Sequence, residues 1–458
     1  MAEDLQRRTS RFDKDWTQGS IVHNLWSLAW PMMISNSINM LGPTIDMIWV
    51  GKLGAASIAG VGISGMIVMM MNSARMGLDM GMRAMIARAI GAGNHEEANH
   101  IIQQAIFISG SFSTFMAIIG ISLAEPILVL MGVEPDVVSE GAAYMRILFV
   151  SSIFMSFRTM AEGAMQASGD TITPMKMVTT FRLFHVALCP FLVFGWWIFP
   201  RLGVSGAAVA NVFAQSLGMI LGMWFLFSGR TRLKPTINNY CLDFSTIMRI
   251  VKIAVPASIS GMQRSLANLM VMGFIVPFGT FAVAAHTLCQ RIEMMIFMPL
   301  MAMGMSAGVL AGQNLGAGKP ERAEKSGWGA LGMVECFLIV IALGVGLWTE
   351  NIIHVFTIDP GVVEVTSSFL MIAIIGYLIL GFNGVLGQFI SGVGDTLPPM
   401  VFGMIMVWCV QVPLSYYLPK FTDLGVVGVR WAIVIAIAVG AICNLTYFRM
   451  GRWKLKRV

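Results

Sequence analysis

Apolar runs of about twenty or more residues, each closed by a short polar break, follow one another along this chain from residue 25 to residue 449. About 20 apolar residues carry a helix across hydrocarbon. On that measure the pattern predicts about twelve spans: 25–50, 57–88, 98–124, 137–166, 174–195, 204–228, 247–276, 281–311, 321–348, 361–392, 399–418 and 425–449. The breaks carry turn chemistry: Gly91-Ala-Gly-Asn94, Glu134-Pro135, Gly169-Asp170, Pro277-Phe-Gly279, Gly316-Ala-Gly-Lys-Pro320, Asp359-Pro360 and Gly394-Asp395. The fold class this implies is an all-α membrane protein.

The pattern also matches itself. Pro31 and Pro256 stand 225 positions apart (256 minus 31), and at the same lag Gly54 meets Gly279 and Pro135 meets Pro360. Gly91-Ala-Gly-x-x-Glu-x-Ala98 meets Gly316-Ala-Gly-x-x-Glu-x-Ala323, and Gly169-Asp-Thr-x-x-Pro-Met175 meets Gly394-Asp-Thr-x-x-Pro-Met400. Further on, Gly203 and Gly206 meet Gly425 and Gly428 after a three-residue deletion. Such a lag marks a duplication. Each copy holds six spans, an even number, so both insert the same way up, as parallel repeats related by an axis along the membrane normal. The expected divisions are a cytoplasmic tail (1–24), an N-lobe (25–228), a cytoplasmic linker (229–246), a C-lobe (247–449) and a basic tail (450–458), with the substrate path between the lobes.

Composition fits this class. Of 458 residues, 56% are hydrophobic and 12% charged, where soluble domains carry about 25% charge. The net charge of +6 comes from basic residues clustered on alternate loops. With the N-terminus inside, inner segments hold Arg7, Arg8, Arg11, Lys14, Arg230, Arg232, Lys234, Lys319, Arg322, Lys325, Arg452, Lys454, Lys456 and Arg457 among others, and outer loops hold Lys52, Arg201 and Lys420. The positive-inside rule then places both termini in the cytoplasm and makes a nucleic-acid partner unnecessary. The first 20 residues are polar, unlike a signal peptide. The six cysteines are scattered without CxxC spacing, and His95-Glu-Glu-Ala-Asn-His100 is not HExxH, so no metal site or cofactor is expected.

The chemistry lies in charges inside the spans. Asp46 is the only charge between Pro31 and Lys52. A carboxylate in hydrocarbon costs about 2.5–3.5 kcal/mol on insertion scales and is kept where it meets a cavity, a partner or an ion. The repeat provides an internal control. Asp46 meets Val271, Arg75 meets Leu300, Asp79 meets Gly304, Arg83 meets Gly308, Arg158 meets Asn383, Glu162 meets Gly387, Arg182 meets Val407 and His185 meets Val410. The duplicated architecture therefore does not need these charges. They fall in stripes: Arg75, Asp79 and Arg83 on one helical face, Arg158 and Glu162 on another, and Arg182, His185 and Cys189 on a third. Two readings stay open, a neutralising salt-bridge network and a gate or anion-attracting surface. The C-half offers Arg264, Asn268, His286 and Glu293 as cavity candidates, and its span charges are Arg264, Arg291, Glu293 and Glu335.

At these residues the chain resembles the multidrug and toxic compound extrusion (MATE) family. The motifs are Ala87-Arg-Ala-Ile-Gly-Ala-Gly-Asn-His-Glu-Glu-Ala98, Gly312-Gln-Asn-Leu-Gly-Ala-Gly-Lys-Pro-Glu-Arg-Ala323, Ala167-Ser-Gly-Asp-Thr171 and Gly392-Val-Gly-Asp-Thr396. The resemblance implies two six-helix lobes, a central cavity open to one side at a time, and cation-coupled export of amphipathic, often cationic compounds. It implies a key acid on helix 1, matching Asp46. Some members also use an asparagine and an aspartate four apart on helix 5, before a proline and a later Phe-Gly. Here that run is Cys189-Pro190-Phe-Leu-Val-Phe194-Gly195, which puts His185 and Cys189 at the two positions. Sodium prefers oxygen ligands, as other hard cations do, and a proton needs no ligand shell. H+ is therefore expected as the coupling ion, with Na+ still possible through Asn211, hydroxyls or backbone carbonyls.

The full expectation is a non-enzymatic antiporter of small amphipathic substrates. It would work as a monomer among the lipids of a prokaryotic cytoplasmic membrane. An alternative is a flippase or exporter of an anionic or lipid-linked substrate, motivated by the N-half arginines. A membrane enzyme is disfavoured: paired loop carboxylates, metal spacing and a nucleophile elbow are all missing from the sequence.

Overall fold

The computed structural model describes residues 14–52, 55–130, 132, 135–236 and 241–456. Outside the described residues lie the tail to residue 13 with Arg7, Arg8 and Arg11, Gly54, Glu134, linker residues 237–240, and Arg457 with Val458.

Among the described residues there is no strand, and the helices make twelve passes. They are α1 (Ile21–Val50), α2 (Ala55–Gly91), α3 (His95–Leu130), α4 (Pro135–Ala167), α5 (Ile172–Phe194), α6 (Val204–Phe227), α7 (Phe244–Ile275), α8 (Thr280–Gly316), α9 (Pro320–His354), α10 (Pro360–Gly392), α11 (Leu397–Phe421) and α12 (Val427–Met450). Within α11 the helix widens to π geometry over Ile405–Gln411. By length and composition, nine of the passes can cross a membrane. The other three, α1, α2 and α7, are 30, 37 and 32 residues long and are interrupted by polar residues such as Asn39 and Asp46, Arg75 and Asp79, and Gln263 and Arg264.

The chain divides into two compact units. One gathers Trp30–Ala254 with the segment ending at Trp16; the other gathers Thr17–Ala29 with Val255–Val458. Ala29 and Ala254 stand 225 apart (254 minus 29), so the divisions obey the lag of the repeat and fall inside α1 and α7. In the first unit α4 is central and packs on α2, α3 and α6. In the second, α10 is central and packs on α8, α9 and α12. Adding six to each label turns the first set into the second, as a duplicated six-helix bundle requires.

The repeated glycines have local causes. Gly169 and Gly394 both have φ of 94°, a left-handed conformation that a side chain rarely adopts. Each follows a helix end where the next N–H turns back to a carbonyl five residues earlier, Asp170 to Met165 and Asp395 to Ile390. Asp170 then accepts from the Thr173 N–H at 3.1 Å, so it shapes the entry to α5. Asp395 accepts from the Tyr447 hydroxyl at 2.5 Å and meets Lys456 at 3.3 Å. At Gly206 a Cβ would lie 2.4 Å from the Leu192 carbonyl oxygen, and at Gly428 one would lie 3.0 Å from the Leu418 carbonyl carbon. The close approach at Gly206 lets α6 pack directly against α5.

Candidate functional site

Two stripes with the same spacing build the site. Asn39, Gly42 and Asp46 lie on α1, and Arg182, His185 and Cys189 lie on α5, each set at i, i+3 and i+7. Arg182 meets the Asn39 end and His185 and Cys189 meet Asp46, so the helices run the same way, as two odd-numbered passes must. His185 Nε2 stands 3.2 Å from Asp46 Oδ1, and the Cys189 thiol donates to the same oxygen at 3.6 Å. All three residues are buried; Asp46 keeps 3% of its surface. Cys189 belongs to a buried apolar cluster with Val50, Val61, Tyr144, Leu192, Val193, Val204 and Ala207.

Arg182 is held by a consequence of proline chemistry. Pro43 lies inside α1 and has no N–H, so the Asn39 carbonyl four residues back lacks its helical donor. Arg182 Nη2 donates to that carbonyl at 3.1 Å. Its Nη1 lies 3.4 Å from His185 Nδ1. Gly42 makes room, since a Cβ there would sit 1.9 Å from Nη1.

Asn211, expected as a fourth member, lies on α6. Its side-chain oxygen accepts from the Ser151 hydroxyl at 2.9 Å and ties α6 to α4.

The other N-half charges form a chain of charge-assisted bonds. Arg83 Nη1 donates to Gln166 Oε1 at 2.6 Å, Gln166 Nε2 donates to Glu162 Oε1 at 3.2 Å, and Arg158 Nη1 donates to Glu162 Oε2 at 2.8 Å. Arg158 Nε continues to Gln215 Oε1 at 2.7 Å. Arg75 donates to Asp79 at 3.3 Å and also to the Thr159 hydroxyl. Gln166, Gln215 and Thr159 were not among the sequence candidates. Gln166 extends the Arg158–Glu162 stripe by one more turn, and that continuation was the available signal.

In the second unit the candidates scatter. Glu293 accepts from Arg430 Nη1 at 2.8 Å, and Arg430, 2% exposed, lies over the Phe369 ring. Glu293 is thus an interhelical ion-pair partner, and its arginine was absent from the sequence count of span charges. His286 is 1% exposed and neither ring nitrogen has a hydrogen bond. It is enclosed in the helix packing. Arg264 and Asn268 are both exposed, one turn apart on α7, and the Arg264 guanidinium stands 5.7 Å from the Phe297 ring centre.

The comparisons agree with this architecture. The family profile described as MatE matches residues 31–191 and 256–417, one match in each copy of the repeat. The chain is 26% identical over 434 residues to "Probable multidrug resistance protein YoeA" of Bacillus subtilis, covering 93% of both chains. It is 23% identical over 399 residues to "FAD transporter" of Shewanella oneidensis, covering 87% of this chain and 88% of the relative. Among solved structures, a MATE protein in its bent conformation superposes with a TM-score of 0.90 at 23% identity, covering 96% of this chain and 97% of that one. With one profile match in each of its two bundles, the chain belongs to the MatE family and is a multi-pass membrane transporter, not an enzyme.

Proposed function

We propose that this transporter exports small amphipathic compounds, mainly cationic ones, by alternating access in exchange for a cation that binds at Asp46, and that the cation is H+. The observation that carries the choice of ion is the company Asp46 keeps. Its near partners are an imidazole nitrogen and a thiol, and the amide oxygen of Asn211 is engaged elsewhere. A sodium ion there would have one carboxylate and few further oxygens, whereas a proton needs only the carboxylate, with His185 placed to share or relay it. Arg158, Arg83 and Arg75 are matched by Glu162, Asp79 and glutamine oxygens, which supports the neutralising reading of that network. The membrane would be a prokaryotic cytoplasmic membrane, with both termini inside.

Linkage makes the ion and substrate effects reciprocal in free energy. In proteoliposomes under an imposed pH gradient, Asp46→Asn should insert and fold normally yet lose gradient-driven efflux of a cationic dye. Full gradient-driven efflux by that variant would exclude the role.

A second reading, export of an anionic substrate, is favoured by Arg264. It is exposed within a span and has no carboxylate within ion-pair distance among the described residues, and the Shewanella relative is named for FAD. The same vesicles loaded with cationic or anionic dyes decide between the two.

A further inference from the structure

The trio at Asp46 offers one oxygen, one nitrogen and one sulfur, a set that suits neither a hard cation nor an ordinary apolar core. We propose that Asp46, His185 and Cys189 form a site for a borderline divalent transition metal of the Zn2+ type.

The first argument is distance. A tetrahedral zinc holds oxygen and nitrogen at about 2.0 Å and sulfur at about 2.3 Å, which spaces its oxygen and nitrogen ligands about 3.3 Å apart and its oxygen and sulfur ligands about 3.5 Å apart. The observed separations are 3.2 Å from Asp46 Oδ1 to His185 Nε2 and 3.6 Å from the same oxygen to Cys189 Sγ. All three ligand atoms lie within 4.8 Å of one another. Two edges of a metal tetrahedron are therefore set by the packing of α1 on α5.

The second argument is an unsatisfied nitrogen. His185 is fully buried, and its Nε2 makes no hydrogen bond although Oδ1 is 3.2 Å away. The oxygen lies within reach but off the line an N–H would need. Ligation through Nε2 gives this nitrogen a partner that hydrogen bonding does not.

Carboxylate and thiolate together match the charge of the ion. Forming the sulfur–metal bond releases the Cys189 thiol proton, and any proton on Asp46 or Nε2 leaves with it. Three protein ligands leave the fourth position open, as in exchangeable rather than structural zinc sites. Asp46 is the ligand with a sliver of exposed surface and so marks the way in.

Arg182 works against the metal. A ligating histidine normally donates its other N–H to an acceptor, and here the neighbour of Nδ1, at 3.4 Å, is an arginine. Metal binding needs Nη1 to leave Nδ1, while Nη2 can keep its bond to the Asn39 carbonyl. Removing the guanidinium should therefore tighten binding.

The test uses the full chain, purified in detergent and titrated with Co2+. The expected result is one Co2+ per chain, visible d–d bands of tetrahedral strength, and a near-ultraviolet sulfur-to-cobalt charge-transfer band, all displaced by Zn2+. Cys189→Ser should lose the charge-transfer band and weaken affinity at least about tenfold, and Arg182→Gln should strengthen it by about tenfold, the scale on which groups around a metal act. A weak octahedral spectrum, or a charge-transfer band that survives Cys189→Ser, overturns the proposal. X-ray absorption on the zinc-loaded wild type needs no variant: one sulfur at about 2.3 Å with lighter ligands at about 2.0 Å supports the site, and a shell without sulfur refutes it. These readouts do not depend on transport, so the site stands or falls apart from the identity of the coupling ion.

Discussion

Gly42 shows how one missing methyl sets the geometry at Asp46. An alanine in a helix interior is normally worth about 1 kcal/mol over glycine. Here the added Cβ would sit 1.9 Å from Arg182 Nη1, and overpacking of that kind costs about 1–3 kcal/mol. The clash should win. Gly42→Ala is expected to lower the Tm in detergent, and adding Arg182→Gln should recover most of the loss, because the two changes share one contact. A Tm that rises in the single variant would mean that Arg182 does not occupy the notch. At this scale the sequence was legible where a residue contradicts its surroundings, as Asp46 does in an apolar helix. It was not legible where the partner is ordinary. Nothing in the sequence joins Asn39 to Arg182, since that bond depends on Pro43 freeing a carbonyl in another helix. His185 and Cys189 stood out as part of a stripe on one helix, but their assignment to a site with Asp46 came through family resemblance, because 139 residues (185 minus 46) separate the acid from the histidine.

Helix by helix, the decisive feature is pairing inside the bundle. The Arg158–Glu162 pair has side chains only 3% and 7% exposed. Breaking such a pair by removing one partner costs about 3–5 kcal/mol, far more than removing both. Arg158→Ala should therefore destabilise strongly and Arg158→Gln with Glu162→Gln much less, as read by thermal unfolding in detergent; equal losses would contradict the pairing. A second prediction belongs to the start of α7. Asp243 accepts from the Thr246 hydroxyl at 2.6 Å and the Ser245 N–H at 2.9 Å, and it meets His100 at 3.2 Å. The Thr246 hydroxyl first, and His100 second, hold its carboxylate down to about 2 from an ordinary 3.8. A depressed carboxylate contributes stability above its unfolded value and loses it as pH falls. The contribution should be full above pH 3.8 and fade towards pH 2, and Asp243→Asn should flatten that part of the Tm against pH curve. An unchanged curve would show the contacts to be idle. The helices themselves were readable because glycine and proline breaks repeat. The π turn in α11 was not, because its residues are as apolar as those of an α-helix.

For the whole molecule, the duplication explains most of what could be foreseen. A constant lag fixed the pairing of helices, and the structure repeats both the division points and the central helix of each bundle. What the lag could not supply is function, since the charges inside the spans of the first copy, from Asp46 to His185, have no charged counterparts in the second. Arg430 escaped for a related reason: near the start of α12 it read as part of an apolar span, and its pairing with Glu293 needs the folded bundle. Topology has its own check. Cys241, exposed in the connection before α7, should react with an impermeant maleimide from the cytoplasmic side alone, and labelling from outside would reverse the assignment. The central claim is that Asp46, with nitrogen and sulfur as its neighbours, couples transport to protons. Its most direct test is efflux of a cationic dye from sodium-free proteoliposomes driven by a pH gradient alone. The account predicts transport that collapses with the gradient and is absent in Asp46→Asn. No transport under those conditions, with transport restored by a sodium gradient at constant pH, would contradict it.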